Sequence, residues 1–153
     1  MTVDSPTPQP LRVDFYVLGE ASDTGRLKLA CRVVEKAYLA GQRVALLCAD
    51  GADLQSLDEL LWTFAEGSFV PHERAGASDA ADAAQCPVIL SAGVPPPMPV
   101  DIVVNLSPEV PPAWPGVGRI AEIVDGAEAR RTAGRARFRH YRSIGVEPQT
   151  HNM

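Results

Sequence analysis

The chain has 153 residues, of which 46% are hydrophobic and 22% are charged, and its formal net charge is -5 at pH 7. This length and hydrophobic content fit one globular domain that can bury a core of its own. No apolar run reaches about 18 residues, so we expect no membrane-spanning helix. The start of the chain lacks a secretory signal, so we expect a cytoplasmic protein.

Taken in chain order, the sequence begins with a segment of low hydrophobicity. Residues 1–10 contain three prolines, which is typical of a disordered leader. The ordered domain is expected over residues 11–146, and residues 147–153 are expected to form a C-terminal tail. Within the domain, short apolar runs rich in β-branched residues predict strands at 13–18, 43–50, 88–92, 101–107 and 119–125.

Helical periodicity predicts three helices between and after these strands. The first contains residues 27–38 and ends at Gly41, the second covers about residues 53–64, and the last covers about 127–144 and ends at Gly145. Strands that alternate with helices predict a mainly parallel sheet between helical layers, which is a three-layer α/β/α sandwich of Rossmann-like type.

Folds of this type often bind nucleotides at a glycine-rich turn, but that turn is missing here. The segment after the first strand, LGEASDTGR (18–26), matches neither G-x-G-x-x-G nor G-x-x-x-x-G-K-[ST]. Ser68 and His72 lack the G-x-S-x-G context of a hydrolase. The histidines have no metal-ligand spacing, and the three widely spaced cysteines make no C-x-x-C pair and are predicted to be buried thiols. We expect no catalytic site, no metal and no cofactor.

One informative segment is LDELLWTFAEGSFVPH (57–72), which combines a helix end with a Gly-Ser bend. Its large apolar residues have two possible roles, core packing or a surface that docks a partner protein, since aromatic side chains anchor interfaces well. The candidate interface residues are Trp62, Phe69, Val70 and Pro71.

The other informative segment is a basic strip on the last predicted helix. Six arginines and one acid lie between Glu128 and Arg142, so this strip carries +5 and the rest of the chain carries -10. Helical spacing places one set of side chains along a single face and Arg130, Arg137 and Tyr141 in a neighbouring row. The set on the single face is Arg131, Arg135, Phe138 and Arg142.

This basic strip has two interpretations. One is a solvated helix face. The other is a groove for an anionic ligand, in which arginines hydrogen-bond to carboxylates and Phe138 provides an apolar contact surface. Phosphates would fit the same arginines, so charge alone does not choose between an acidic peptide and a nucleic acid.

Several motifs together resemble one family. LDELLWTF with SFVPH, then DIVVNLSPEVPP, IAEIVDG and RARFRHYRSIG, are similar to the chi subunit of bacterial DNA polymerase III holoenzyme. The resemblance runs from Val13 to about Gly145. It implies a non-enzymatic adaptor with an α/β/α fold that lacks a phosphate loop.

The resemblance also implies partners. In this family, chi links the clamp-loader complex, through the psi subunit, to the acidic C-terminal tail of single-stranded DNA-binding protein. By position, the single-face set on the last helix would bind that tail, and the four candidate interface residues would bind psi. No direct nucleic-acid or membrane binding is expected. The alternative hypothesis is a protein that binds single-stranded nucleic acid directly through the arginine-rich helix.

Overall fold

The computed structural model describes residues 11–63, 70–75, 86–93, 95–96, 99–114 and 116–153. In these residues seven parallel strands form one sheet in the order β3-β4-β2-β5-β6-β1-β7. The strands are β1 (Arg12–Val17), β2 (Val44–Leu47), β3 (Glu73–Arg74), β4 (Val88–Ser91), β5 (Ile102–Asn105), β6 (Arg119–Val124) and β7 (Gln149–Asn152). The described helices are α1 (Asp23–Leu39), α2 (Gly51–Thr63) and α3 (Glu128–Ser143).

The helices cover both faces of the sheet, so the domain is the α/β/α sandwich that the alternation predicts. Side chains alternate across each strand, and in β1 this places Val13 and Phe15 on the α3 side and Tyr16 on the opposite side. The larger core lies between the sheet and α1 with α2, and the smaller one lies beneath α3. β2, β4 and β5 are buried along their whole length, which explains why their sequences are almost entirely apolar.

Local signals in the sequence set the ends of the helices. Ser22 caps α1 by accepting a hydrogen bond from the Gly25 backbone N–H at 2.9 Å. Gly41 and Gly145 follow α1 and α3 with φ angles of 79° and 88°, in the left-handed region that glycine adopts without strain. The N–H of Val146 donates to the Tyr141 carbonyl at 2.9 Å, which completes the C-terminal motif of α3.

The predicted strands and helices are confirmed, and the C-terminal tail is the main difference. Residues 149–152, expected to lie outside the domain, form edge strand β7 and pair in parallel with β1. This strand has no apolar alternation, so its sequence gives no strand signal. It is held instead by the β1 backbone and by His151, whose Nε2 lies 2.9 Å from Asp14 Oδ1. The short strand β3 was likewise not predicted.

The loops after β1 and β6 touch where α1 and α3 depart toward opposite faces of the sheet. Gly126 donates its backbone N–H to the Glu20 carbonyl at 2.9 Å. A Cβ atom at Gly126 would lie 2.7 Å from the Glu20 carbonyl carbon and 2.8 Å from the Ala21 nitrogen. Only a residue without a side chain permits this approach, so Gly126 fixes the spacing of the two loops.

We therefore predict that Gly126→Ala lowers the free energy of unfolding by about 1 to 3 kcal/mol, the usual cost of forcing extra atoms into a packed site. Urea denaturation followed by circular dichroism measures this. Gly118→Ala is the matched control, because a Cβ there meets nothing within 4 Å. Equal stability of the two variants would contradict the role assigned to Gly126.

Candidate functional site on the last helix

The position of α3 is set by a buried carboxylate beneath it. Glu122, in β6, is 0% exposed. Arg137 donates from Nε to Glu122 Oε1 at 2.9 Å, and the Tyr141 hydroxyl donates to Oε2 at 2.5 Å. Asn105 donates from its side-chain amide to Oε1 at 2.8 Å. We call Glu122, Arg137, Tyr141 and Asn105 the buried polar network; it joins α3 to two central strands.

Burial dominates the electrostatics of this network. It raises the pKa of the Glu122 carboxyl above its ordinary value, although Arg137 and the donated hydrogen bonds oppose the shift. Burial and the neighbouring Glu122 charge also raise the pKa of the Tyr141 phenol, which keeps this group a neutral donor. Since a buried charge is stable only with a partner, Glu122 and Arg137 depend on each other.

A second carboxylate fixes the start of α3. Asp125 is 0% exposed and accepts two hydrogen bonds from Arg130, at 2.6 and 2.7 Å. It also accepts from the backbone N–H groups of Ser22, at 2.9 Å, and Ala127, at 3.2 Å. Burial alone would raise the pKa of Asp125, but these hydrogen bonds lower it to about 2. Asp125 therefore ties the first turn of α3 to the turn before α1.

These contacts correct the interpretation of the arginine strip. Arg130 and Arg137, counted among its six cations, are held by Asp125 and Glu122 and hold the helix in place. The neighbouring row that contains them is the side of α3 that faces the sheet. Arg139, which the sequence analysis left out of the candidate site, is exposed and has no ion pair within the part of the chain that the structure describes.

The four predicted residues of the single face lie on the same flank of α3, as the spacing predicts. At about 100° per residue, Arg131, Arg135 and Arg142 all fall within about 60° of Phe138 around the helix axis. Arg135 and Arg142 have side chains that are 59% and 61% exposed. Arg131 is partly buried and donates from Nη2 to the Gly19 carbonyl at 3.3 Å. We call these four residues the α3 flank.

Phe138 is partly buried at the edge of the smaller core. Its ring centroid lies 5.4 Å from that of Phe15, at an angle of 52°. Val17 and Val146 belong to the same partly buried rim. The ring thus rests on the core and still has an exposed part between the arginines.

Ion pairs on the α3 flank are exposed and long. Arg135 lies 3.5 Å from Glu128, and Arg142 lies 3.4 Å from Glu147, with both acids more than 70% exposed. Such surface pairs contribute little to stability, about 0 to 1 kcal/mol. Both arginines are therefore available to a carboxylate of a ligand.

The second predicted surface is divided by the structure. Trp62 is 43% exposed, and Pro71 is partly buried. Val70 is 1% exposed and packs in the larger core, so its assignment to an exposed interface was wrong. Phe69 lies outside the described residues.

The Trp62 ring packs against His72, which belongs to a polar cluster with Asp58 and Arg74. Its ring centroid lies 4.4 Å from that of His72. His72 contacts the Val70 carbonyl through Nδ1 at 2.7 Å and the Asp58 carboxylate through Nε2 at 2.8 Å. Arg74 donates from Nε to the other oxygen of Asp58 at 3.0 Å. The histidine thus has a structural role at the base of the Trp62 surface.

A cavity of about 590 Å³ lies at the carboxyl ends of β2, β5 and β6, where nucleotides bind in related folds. Two ion pairs line it, since Arg26 lies 3.0 Å from Asp53 and Arg130 lies 2.9 Å from Asp23, while Arg26 Nε and Nη1 have no hydrogen-bond partner among the described residues. Among the described residues no cluster of three or more potential metal ligands occurs, and no helix is long and apolar enough to cross a membrane.

The cysteines are largely as predicted. Cys31 and Cys48 are buried, and burial raises the pKa of each thiol to about 12. Such thiols are unreactive near neutral pH, since the thiolate is the reactive form. Cys86 is only partly buried, which departs from the prediction.

The class of protein is now defined: a Rossmann-like α/β/α domain whose sequence lacks the glycine-rich phosphate-binding motif and whose last helix carries three exposed arginines, Arg135, Arg139 and Arg142. A family model described as DNA polymerase III chi subunit, HolC, matches residues 11–149. The chain therefore belongs to the family of chi subunits of DNA polymerase III. This confirms the family that the sequence motifs indicated.

Individual relatives agree with this assignment. The chain is 42% identical to DNA polymerase III subunit chi of Pseudomonas aeruginosa over 142 residues, which cover 93% of this chain and 96% of the relative. It is 27% identical to subunit chi of Haemophilus influenzae, over 91% and 95% of the two chains. The C-terminal domain of the DEAD-box protein Dbp5 shares the fold, with a TM-score of 0.60, 13% identity and coverage of 93% and 91%.

We predict that Glu122→Gln lowers the free energy of unfolding by about 3 to 5 kcal/mol, because it leaves the buried Arg137 guanidinium without a counter-charge. Chemical denaturation measures the change. The matched control is Glu128→Gln, in the first turn of α3, where the carboxylate is 85% exposed. A loss of less than about 1 kcal/mol for Glu122→Gln would contradict a network that holds α3 by charge.

We also predict a pH dependence of stability that comes from Asp125. Because its pKa falls from 3.8 to about 2 on folding, its contribution is complete above about pH 4 and disappears as the pH falls toward 2. The free energy of unfolding of the native chain should exceed that of Asp125→Asn at pH 7 by about 2 kcal/mol more than it does at pH 2. Thermal or urea unfolding across this range measures the difference. A difference independent of pH would contradict the assignment.

Proposed function

We propose that the chain is a non-catalytic adaptor in DNA replication that works in the cytoplasm without a cofactor. It links the clamp-loader complex, through a psi subunit, to the acidic C-terminal tail of single-stranded DNA-binding protein. Membership of the chi family supports a role within DNA polymerase III. The observation that carries the tail-binding part is the α3 flank, where the exposed Arg135 and Arg142 lie beside the partly buried Phe138.

The chemistry of the α3 flank suits a peptide that ends in an aromatic residue and a carboxylate. Arginine binds carboxylates through two parallel hydrogen bonds, and Arg135 and Arg142 are both exposed. Phe138 offers an aromatic edge, tilted against Phe15, on which a second ring can pack. The terminal phenylalanine of the tail would lie beside Phe138 with its carboxylate on an arginine.

Acidic residues that precede the terminal aromatic would assist the encounter. Long-range attraction favours approach of a polyanionic peptide to this flank, because among the described residues the ion pairs of its arginines are the weak, exposed ones with Glu128 and Glu147. Ordering a flexible tail consumes much of the interaction energy, so we expect a dissociation constant on the order of micromolar.

The buried polar network would give the α3 flank its rigidity. Arg137 and Tyr141 lie on the opposite side of Phe138 from the exposed arginines and anchor the helix to Glu122. A preorganised helix loses less entropy when the peptide binds. Arginine would thus have two roles on α3: Arg137 anchors the helix on one side, and Arg135 and Arg142 would bind the ligand on the other.

For the psi subunit we propose the surface around Trp62 and Pro71. The partly exposed Trp62 ring rests on His72, which is itself fixed by Asp58. Exposed aromatic rings on a rigid base are typical interface anchors. Val70 would contribute from below by packing in the core, and we expect no direct contact between it and psi.

Direct binding of single-stranded nucleic acid is less well supported by the geometry. Such sites use a long cationic groove with several aromatic rings on which bases stack. The α3 flank offers one such ring, and the chain as a whole carries a charge of -5.

We predict that Arg135→Ala weakens binding of a peptide copying the single-stranded DNA-binding protein tail of the same organism. The loss should be about 1 to 3 kcal/mol, the range for a hydrogen bond to a charged group. Isothermal titration calorimetry at two salt concentrations measures it, and binding should weaken as salt is raised. An amidated peptide without the terminal carboxylate should bind less tightly.

Lys28→Ala on α1 is the control, because this cation is exposed and far along the chain from the α3 flank. Equal affinity of the Arg135→Ala variant and the native chain would contradict the proposed site. Tight binding of a bare oligonucleotide with no response to the peptide would favour the nucleic-acid hypothesis.

A further inference from the structure

A second cationic surface lies on the opposite face of the sheet from α3. It is an open groove of about 260 Å³ between α1, the end of β7 and the start of β6. The sequence indicated one basic strip, on the last helix, and this groove was not predicted. Its lining residues are Tyr16, Leu29, Arg32, Val33, Lys36, Ala37, Ala40, Gln42, Arg119 and Met153.

The floor of this groove is apolar. Leu29 and Ala37 are buried, and Val33 between them is only partly buried, so part of the Val33 side chain is exposed at the floor. Met153 closes one end and is 60% exposed. A partly exposed apolar strip of this kind gains stability when another apolar side chain covers it.

The rim of the groove is cationic. Arg32 and Lys36 are one turn apart on α1 and exposed, and neither has an ion pair within the ranges that the structure describes. Arg119 enters from β6, donating to Asp14 from Nε at 3.1 Å and to the Tyr16 hydroxyl from Nη2 at 2.5 Å. Three cations and no Asp or Glu side chain line this groove among the described residues.

The aromatic lining of the groove does not favour binding of nucleic acid. Tyr16 is the one aromatic residue among those lining it, and one face of its ring is stacked on His151, with centroids 5.0 Å apart. Single-stranded nucleic acid needs successive free aromatic faces. An apolar floor of this size with a cationic rim is instead complementary to one large apolar side chain flanked by carboxylates.

We propose that this groove binds an acidic peptide segment of a partner protein, with one large apolar side chain on Val33 and carboxylates on Arg32 and Lys36. This site is separate from the α3 flank and does not depend on the proposed function. It requires no terminal carboxylate, because its cations lie along the rim of an open groove and can meet side-chain carboxylates.

The test uses the full chain and an acetylated, amidated peptide with one internal phenylalanine between runs of aspartate and glycine. This probe lacks the free terminal carboxylate that the α3 flank would bind. Backbone amide NMR spectra of the labelled protein, recorded during a titration at low salt, locate the binding site. We expect shifts at Val33, Lys36 and Met153, and an Arg32→Glu, Lys36→Glu double variant should bind about tenfold more weakly or worse.

Two controls make the outcome decisive. Lys28→Glu changes the charge of the same exposed side of α1 without touching the groove lining and should leave binding nearly unchanged. Arg135→Glu should also leave binding of this probe nearly unchanged. No binding, shifts confined to α3, an equal loss with Lys28→Glu, or equally tight binding of an oligothymidine at the same groove would each overturn the proposal.

Discussion

The structure depends on the burial of one negative charge beneath the last helix. Glu122 lies in the central sheet with no exposure to solvent, where an unpaired carboxylate would be strongly destabilising. Arg137 and Tyr141 both reach it from α3, which leaves the helix one orientation around its axis. That orientation determines which arginines face solvent, so a core interaction determines the composition of the surface.

The division of the arginines follows from this constraint. Arg130 and Arg137 lie on the side that meets the sheet, and their carboxylate partners lie at the end and in the middle of β6. Arg135 and Arg142 lie on the outer side with partners that water screens. Asp125 and Glu122 thus neutralise the inner cations of a basic helix on an acidic domain. The outer cations remain exposed to solvent.

Much of the fold was predictable because its signals are local. Apolar runs marked the central strands, and Gly41 and Gly145 marked helix ends. Strand β7 was not predictable, since its polar residues are held by β1 and by contacts distant in sequence. The inner role of Arg137 had one usable signal: Glu122 is the one acid in β6, lies between Ala121 and Ile123, and needs a cationic partner. The groove on α1 had no signal in the sequence, because Arg119 is distant from α1 along the chain and comes close to it only when the sheet forms.

The most direct test of the account is a structure of the chain with the acidic tail peptide of single-stranded DNA-binding protein. The account predicts that the terminal carboxylate lies on Arg135 or Arg142 and the terminal ring on Phe138. It also predicts that the hydrogen bonds between Glu122 and α3 are unchanged from the free chain. A tail bound on the Trp62 surface, or an α3 rotated away from Glu122 in the complex, would contradict it.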